Sequence, residues 1–280
     1  GVLPPGDIRN CLAALSTEEP LLTRLFQYRF TAGSGLEGHS FGNLFLSALT
    51  AITGNLETAI TASSRVLAVQ GQVVPATNVD VRLWAELENG ERIEGESNIG
   101  HAPSPIVRLG CQPERPPALP RALEAIASAD LILLGPGSLY TSLLPNLLVP
   151  ELVNAIGRSR APRLYICNLM TQPGETDGLD VRGHLRAIEA QLASLGINQR
   201  LFTAVLAQDD LGASPLVEHY RSRGAEPVAC DADDLRRDGY DVTQAPLQGA
   251  RPTATLRHDS RSLALAVMRF YRSHRRDKDQ

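Results

Sequence analysis

Ala129-Asp-Leu-Ile-Leu-Leu-Gly-Pro-Gly-Ser-Leu-Tyr-Thr141 is the stretch on which the reading of the fold turns. Leu131 to Leu134 form a short uninterrupted apolar run, the pattern of a strand buried on both faces in a parallel sheet. The run stops at Gly135-Pro136-Gly137, a tight turn expected to leave backbone N–H groups bare. Ser138 and Thr141 then add hydroxyls where a helix is expected to begin. A strand, a glycine turn and a helix N-terminus together make an anion cradle, because free N–H groups and the positive end of the helix dipole point the same way. The plainer reading is a strand-to-helix turn capped by Ser138.

A second apolar run, Leu164 to Cys167, also ends in a polar loop, Asn168-Leu-Met-Thr-Gln-Pro-Gly-Glu-Thr-Asp177. If both strands lie in one parallel sheet, both loops emerge at its carboxyl edge, where open α/β sheets bind their ligands. Strand and helix patterns alternate from Ala118 onward, which implies an α/β fold with a largely parallel sheet flanked by helices. Further strands and helices are expected at Leu201–Leu206, Pro215–Arg223 and Val228–Cys230, with a last helix at Ser260–Tyr271 and a frayed tail over 272–280.

The N-terminal part reads differently. Asp7 is a candidate N-cap for a helix through Ala14 that packs Ile8, Leu12 and Leu15 inward. Helices are expected at Leu21–Phe30, at Leu44–Thr53 after the polar entrance His39-Ser40-Phe41-Gly42-Asn43, and from Asn55. Val79, Val81, Leu83 and Ala85 alternate with polar residues, the mark of a strand with one wetter face, and Asn89-Gly90 signals a type I′ hairpin. An antiparallel excursion is therefore placed between residues 66 and 109. The Pro-rich segment Pro103–Pro120 reads as an exposed loop.

The chain has 280 residues, 43% of them hydrophobic, and a formal net charge of −4. That length suits one large domain, and one α/β domain over 1–280 is the expectation. No apolar run approaches the ~18 residues needed to cross a bilayer. An acidic balance argues against non-specific nucleic-acid binding, which requires a basic surface. Cys11, Cys111, Cys167 and Cys230 are far apart without a C-x-x-C spacing, so reduced thiols in a cytoplasm are expected rather than a metal site. His184 and His219 fall on amphipathic helices and are read as surface residues, and the acidic run Asp231, Asp233, Asp234 as a solvated turn.

Four motifs make the reading specific: Pro-Pro-Gly-Asp-Ile-Arg-Asn-Cys-Leu at 4–12, His-Ser-Phe-Gly-Asn-Leu-Phe-Leu at 39–46, Gly-Pro-Gly-Ser-Leu-Tyr-Thr-Ser at 135–142, and Asn-Leu-Met-Thr-Gln-Pro-Gly-Glu-Thr-Asp at 168–177. Together and in this order they resemble the bacterial gluconeogenesis factor (YvcK-like) family, relatives of the 2-phospho-L-lactate transferases. The resemblance implies a Rossmann-like fold in the cytoplasm that binds a nucleotide-diphosphate ligand. In the regulatory branch this is a UDP-sugar such as UDP-N-acetylglucosamine, with roles in gluconeogenic growth, cell-wall precursor supply and cell shape. In the transferase branch a phospholactyl group moves from a guanosine diphosphate carrier to a deazaflavin with a divalent metal. The wording of 143–148 and 168–177 is closer to the regulatory branch. The family's first strand, its Gly-rich loop and an aspartate-containing segment are expected upstream of the point where this chain opens.

On this resemblance Gly135, Gly137, Ser138 and Thr141 would hold a pyrophosphate. Asn43, Asn168, Thr171 and Gln172 would select base or sugar, Arg9 or Arg257 would neutralise phosphate charge, and Asn10, early on the first helix, could also reach the ligand. A non-catalytic binding protein is the expectation. The transferase alternative would draw on Asp7, Glu175 and Asp177 as its carboxylates and on magnesium as its cofactor. Asp259 or Ser260 is expected to cap the last helix, and His258 is read as orienting the chain near the ligand or capping that helix with Asp259. The apolar helices suggest a homodimer.

Overall fold

A computed structural model describes residues 6–16, 20–248 and 255–276. They form two compact units, one made of the residues up to Asp80 with Pro117–Leu123, the other of Val81–Pro116 with the residues from Glu124 onward.

The first unit is helical. Its helices are α1 (Gly6–Leu15), α2 (Pro20–Gln27), α3 (Phe41–Thr53) and α4 (Leu56–Val66). They close on Leu12, Phe26, Leu46, Ile60 and Leu67. Ser40 starts α3 by accepting the Asn43 N–H, and Gly54 ends it in a left-handed conformation, φ +85°, that lets its own N–H reach Thr50 O. Asn55 caps α4 in the same way through the Thr58 N–H. Leu15, expected inward on α1, is 39% exposed, because Ile8 and Leu12 already fill the inner face.

In the second unit a three-stranded antiparallel sheet has the order β2-β1-β3, with β1 Arg82–Leu87, β2 Arg92–Glu94 and β3 Ile106–Gln112. The excursion therefore spans 82–112 rather than 66–109. The segment read as an exposed Pro-rich loop contains β3, whose Leu109 and Cys111 are buried. The hairpin turn differs as well. Gly90 alone has positive φ, +81°, the Gly90 N–H donates to Leu87 O and the Leu87 N–H to Glu91 O, which is a three-residue loop ending in a glycine rather than a type I′ turn. A short helix, α5 (Glu96–Ile99), links β2 to β3.

The second sheet is four-stranded and parallel, in the order β4-β5-β6-β7. Its strands are β4 (Ile132–Leu134), β5 (Arg163–Ile166), β6 (Ala204–Gln208) and β7 (Asp241–Ala245). The sequence reading did not foresee β7, whose alternating Asp-Val-Thr-Gln-Ala buries only Val242. In place of a strand at Val228–Cys230, Val228 makes a single backbone bond to Leu169 O. β4 is an edge strand with Leu133 43% exposed, so its apolar run does not mark burial on both faces.

Between β4 and β5 lie a π-helical turn (Leu139–Leu143), α7 (Leu144–Leu147) and α8 (Pro150–Arg158), with α6 (Pro120–Ala127) before β4. α9 (Val181–Ser194) joins β5 to β6, and α10 (Pro215–Arg221) and α11 (Ala232–Arg237) join β6 to β7. α12 (Ser260–Arg276) follows β7, so 272–276 continue the helix where fraying was expected, and 277–280 lie outside the described residues. Residues of α8, α9 and α11 pack on one face of the parallel sheet with β1 and β3, while α10 and α12 pack on the other. His184 of α9, expected at the surface, is fully buried there, its Nδ1–H donating to Asp180 O. Buried Gln191 ties α9 to the antiparallel sheet: it accepts the Leu109 N–H and donates to Leu109 O, both at 2.9 Å. Asp231 caps α11 by accepting the Asp234 N–H, so the acidic run is a helix start rather than only a solvated turn.

Candidate functional site

β4 and β5 are neighbours, and their parallel pairing sends the loops after Leu134 and Ile166 to the same edge. Gly135 crosses directly over the end of β5. Its φ is +88°, and a Cβ there would lie 2.7 Å from Ile166 O, so only glycine fits. One turn later the two loops are joined by a side-chain amide. The Gly137 N–H donates to Asn168 Oδ1 at 3.2 Å, and Asn168 Nδ2 donates to Gly137 O at 2.8 Å.

Ser138 occupies the N-cap of the π-helical turn without capping it. Its hydroxyl donates instead to Gln172 Oε1 at 2.8 Å, and Gln172 Nε2 donates to Glu175 Oε1 at 2.9 Å. The Glu175 carboxylate also accepts the Thr141 hydroxyl at 2.9 Å and the Tyr140 N–H at 3.1 Å. The amides that were expected to stand bare for an anion are thus engaged at Gly137 and Tyr140, the latter by an anion of the protein itself. Glu175 is 5% exposed. Burial raises its pKa, while the Thr141 hydroxyl, the Tyr140 and Thr141 N–H groups and the charge of His101 act in the opposite direction.

The supports of this network were not singled out in advance. Tyr140 anchors the turn by donating its hydroxyl to Ile106 O at 3.2 Å, and burial pushes its pKa up to about 12. Gly174 lies so close to the segment after α5 that a Cβ would stand 3.0 Å from His101 Cα. The turns around Gly100 and Gly174 were the only trace of this contact in the sequence.

Thr171, Asp177 and Arg257 stand apart from the network. Thr171 is buried and engaged with Glu226, whose N–H donates to the Thr171 hydroxyl at 2.8 Å. Asp177 is exposed and accepts the Gly174 N–H at 2.7 Å, closing the loop on itself. Arg257 is exposed. His258 donates from Nε2 to Cys167 O at 3.1 Å, holding the end of β5, and burial lowers its pKa. Asp259, one of the two expected caps, caps α12 through the Ser262 N–H at 2.8 Å.

Asp7, Arg9, Asn10 and Asn43 belong to the helical unit. Asp7 is exposed in the first turn of α1 and Asn10 accepts a bond from Arg9. The stem of Arg9 lies against Gly42, where a Cβ would come within 2.9 Å of Arg9 Cγ. Arg9 Nε and Asn43 Oδ1 are both buried without a hydrogen-bond partner among the described residues. Burial and the nearby Arg29 lower the pKa of Arg9.

Among the described residues the carboxylates at this edge are engaged within the protein. Both oxygens of Glu175 already accept hydrogen bonds, Asp177 is spent on its own loop, and no group of three His, Cys, Asp or Glu side chains suited to a metal occurs among the described residues. The four cysteines are free thiols.

Fold and site together define a parallel α/β protein whose polar loops interlock at the carboxyl edge of the sheet. The family model for the 2-phospho-L-lactate transferase CofD matches residues 1–248. The chain is 54% identical over 271 residues to a gluconeogenesis factor homologue of Nostoc sp. PCC 7120, covering 97% of this chain and 59% of that protein. It is 42% identical to the gluconeogenesis factor of Bacillus subtilis, covering 93% of this chain and 80% of the relative. A crystal structure of a UPF0052 family member from Bacillus halodurans superposes with a TM-score of 0.87 at 42% identity, over 95% of this chain and 83% of the other. The chain belongs to the CofD/YvcK family, among the gluconeogenesis factors.

Proposed function

We propose that this chain is a non-catalytic, cytoplasmic regulator that binds a nucleotide-diphosphate sugar of the UDP-N-acetylglucosamine kind at the carboxyl edge of its parallel sheet, coupling that ligand to carbon metabolism and cell shape. The observation that carries the reading is the use made of Glu175. In a transferase a carboxylate at this edge would be kept for the acceptor hydroxyl or a metal, whereas here it is buried and bonded to the helix entrance as a brace. Binding needs no such group. The Gly135–Ser138 turn, held by Asn168 and Gln172, offers a rigid backbone for a pyrophosphate, and rigid platforms lose less entropy on binding. Similarity to proteins named gluconeogenesis factors supports the metabolic assignment.

Calorimetric titration of UDP-N-acetylglucosamine, UDP-glucose and GDP, each with and without magnesium, tests it. A UDP-sugar should bind without metal and without turnover, about ten-fold or more weaker after Ser138→Ala or Asn168→Ala, a loss of the order of one or two hydrogen bonds. Magnesium-dependent preference for GDP would favour the phospholactyl transferase instead, and silence from all three would overturn the nucleotide site.

A further inference from the structure

α12 carries five arginines and no acidic residue along Ser260–Arg276. Its inner side buries Ala266, Val267 and Phe270 against the parallel sheet. The outer side presents Arg261, Leu265, Met268, Arg272 and Arg275, a spacing of four, three, four and three that keeps them on one face of a helix, with Arg269 beside them. Leu265 is 52% and Met268 44% exposed, so the apolar pair stands at the middle of the stripe with guanidinium groups on either side. Some arginines elsewhere are matched by carboxylates, as in Arg108–Glu86 and Arg182–Asp238, and others stand singly, whereas α12 gathers arginines on one face. Arg269, Arg272 and Arg275 make no ion pair among the described residues; of the carboxylates beside the helix, Asp259 caps its first turn next to Arg261, and Asp241 is paired with His274 at 3.2 Å.

We propose that the outer face of α12 docks onto an anionic phospholipid surface. A charge stripe left unmatched on a chain of net charge −4 asks for an anionic partner, and the chemistry of this one selects phosphate. Guanidinium forks bind phosphate oxygens in pairs, and their long stems let them sit at headgroup level while Leu265 and Met268 enter the acyl boundary between them. A second copy of this chain is a poor occupant, because pairing two such faces sets arginine against arginine. A nucleic-acid backbone would leave the central apolar pair against phosphate. The arrangement lies on the membrane without spanning it, in keeping with the lack of any described helix long and apolar enough to cross.

Sedimentation of the whole chain with phosphatidylglycerol vesicles, and separately with phosphatidylcholine vesicles, tests the proposal. Binding is expected to phosphatidylglycerol at low salt, to little or no phosphatidylcholine, and to fall at least ten-fold at about 0.5 M salt, where screening is complete within a few ångströms. Changing Arg269, Arg272 and Arg275 together to Gln should weaken binding about 100-fold at low salt, since each basic side chain near such a surface contributes roughly a factor of five. Leu265→Ser with Met268→Ser should weaken it less. These side chains are exposed, so the variants should keep the parent's circular dichroism and melting curve. No binding to phosphatidylglycerol, equal binding to both lipids, or an unaltered triple variant would overturn the proposal. An acidic protein that binds this face while vesicles do not would overturn it equally.

Discussion

Replacing Glu175 with Ala should be among the most damaging single changes at the sheet edge. The substitution removes the acceptor of three donors: the Thr141 hydroxyl, the Gln172 amide and the Tyr140 N–H. The first two can rotate toward other partners. The Tyr140 amide is fixed in the backbone of a buried residue, and an orphaned buried N–H costs about 1–3 kcal/mol. Adding the lost charge-assisted bonds and the emptied volume gives a destabilisation of about 3 kcal/mol. Trp84, the one tryptophan of the chain, lies in the same unit, so its fluorescence follows unfolding of that unit. With a urea dependence of roughly 2–3 kcal/mol per molar for a unit of this size, the midpoint should fall by about 1 M. Glu175→Gln keeps the shape but sets an amide N–H against other donors, and should cost about 1–2 kcal/mol.

The pH dependence supplies a second arm. Because the folded pKa of Glu175 is raised above 4.5, the fold favours its protonated form. Its contribution is therefore full below the unfolded pKa and declines as pH rises from about 4.5 through the raised value. Glu175→Gln should lack that decline. A midpoint for Glu175→Ala within about 0.2 M of the parent, well below the shift expected from the lost bonds, would refute the brace. So would identical pH profiles for parent and Gln variant.

Three further outcomes follow from the same geometry. Gly135→Ala, which forces a side chain onto Ile166 O at positive φ, should cost at least about 2 kcal/mol and lower the melting temperature by several degrees in a thermal scan followed by circular dichroism. Gln191→Leu strips the partners from both buried backbone groups of Leu109, and should cost roughly 2–4 kcal/mol in the same urea assay. Asp180→Ala removes the acceptor of the Gly183 N–H at the start of α9 and should cost only about 1 kcal/mol, a useful scale for the other two.

The parallel sheet was legible because its strands β5 and β6 are apolar runs and because strand and helix patterns alternate along this part of the chain. The edge strands were harder to read. β4 looks buried in sequence because it falls in the contiguous apolar run Leu131–Leu134, yet Leu133 is exposed. β7 has too little apolar character to stand out, and β3 was hidden between prolines whose backbone signals outweighed Leu109 and Cys111. At the site, glycines, hydroxyls and amides were readable as residue types, and their loops were rightly placed at one edge. Which donor meets which acceptor was not readable. Whether Thr141 faces a ligand or Glu175 depends on the approach of loops 34 residues apart, which local pattern does not encode.

The sheet order β4-β5-β6-β7 is the order of the chain itself. Each new strand therefore pairs with the one just laid down, and each closure spans a single crossover rather than a long detour. Closure entropy rises with loop length, so such a sheet can grow by accretion from its first pair. β4 and β5, which carry the interlocked loops, are that first pair. The interlocked loops can come together before β7 and α12 have joined, and the segment between those two then secures the end of β5 through His258 and Cys167 O.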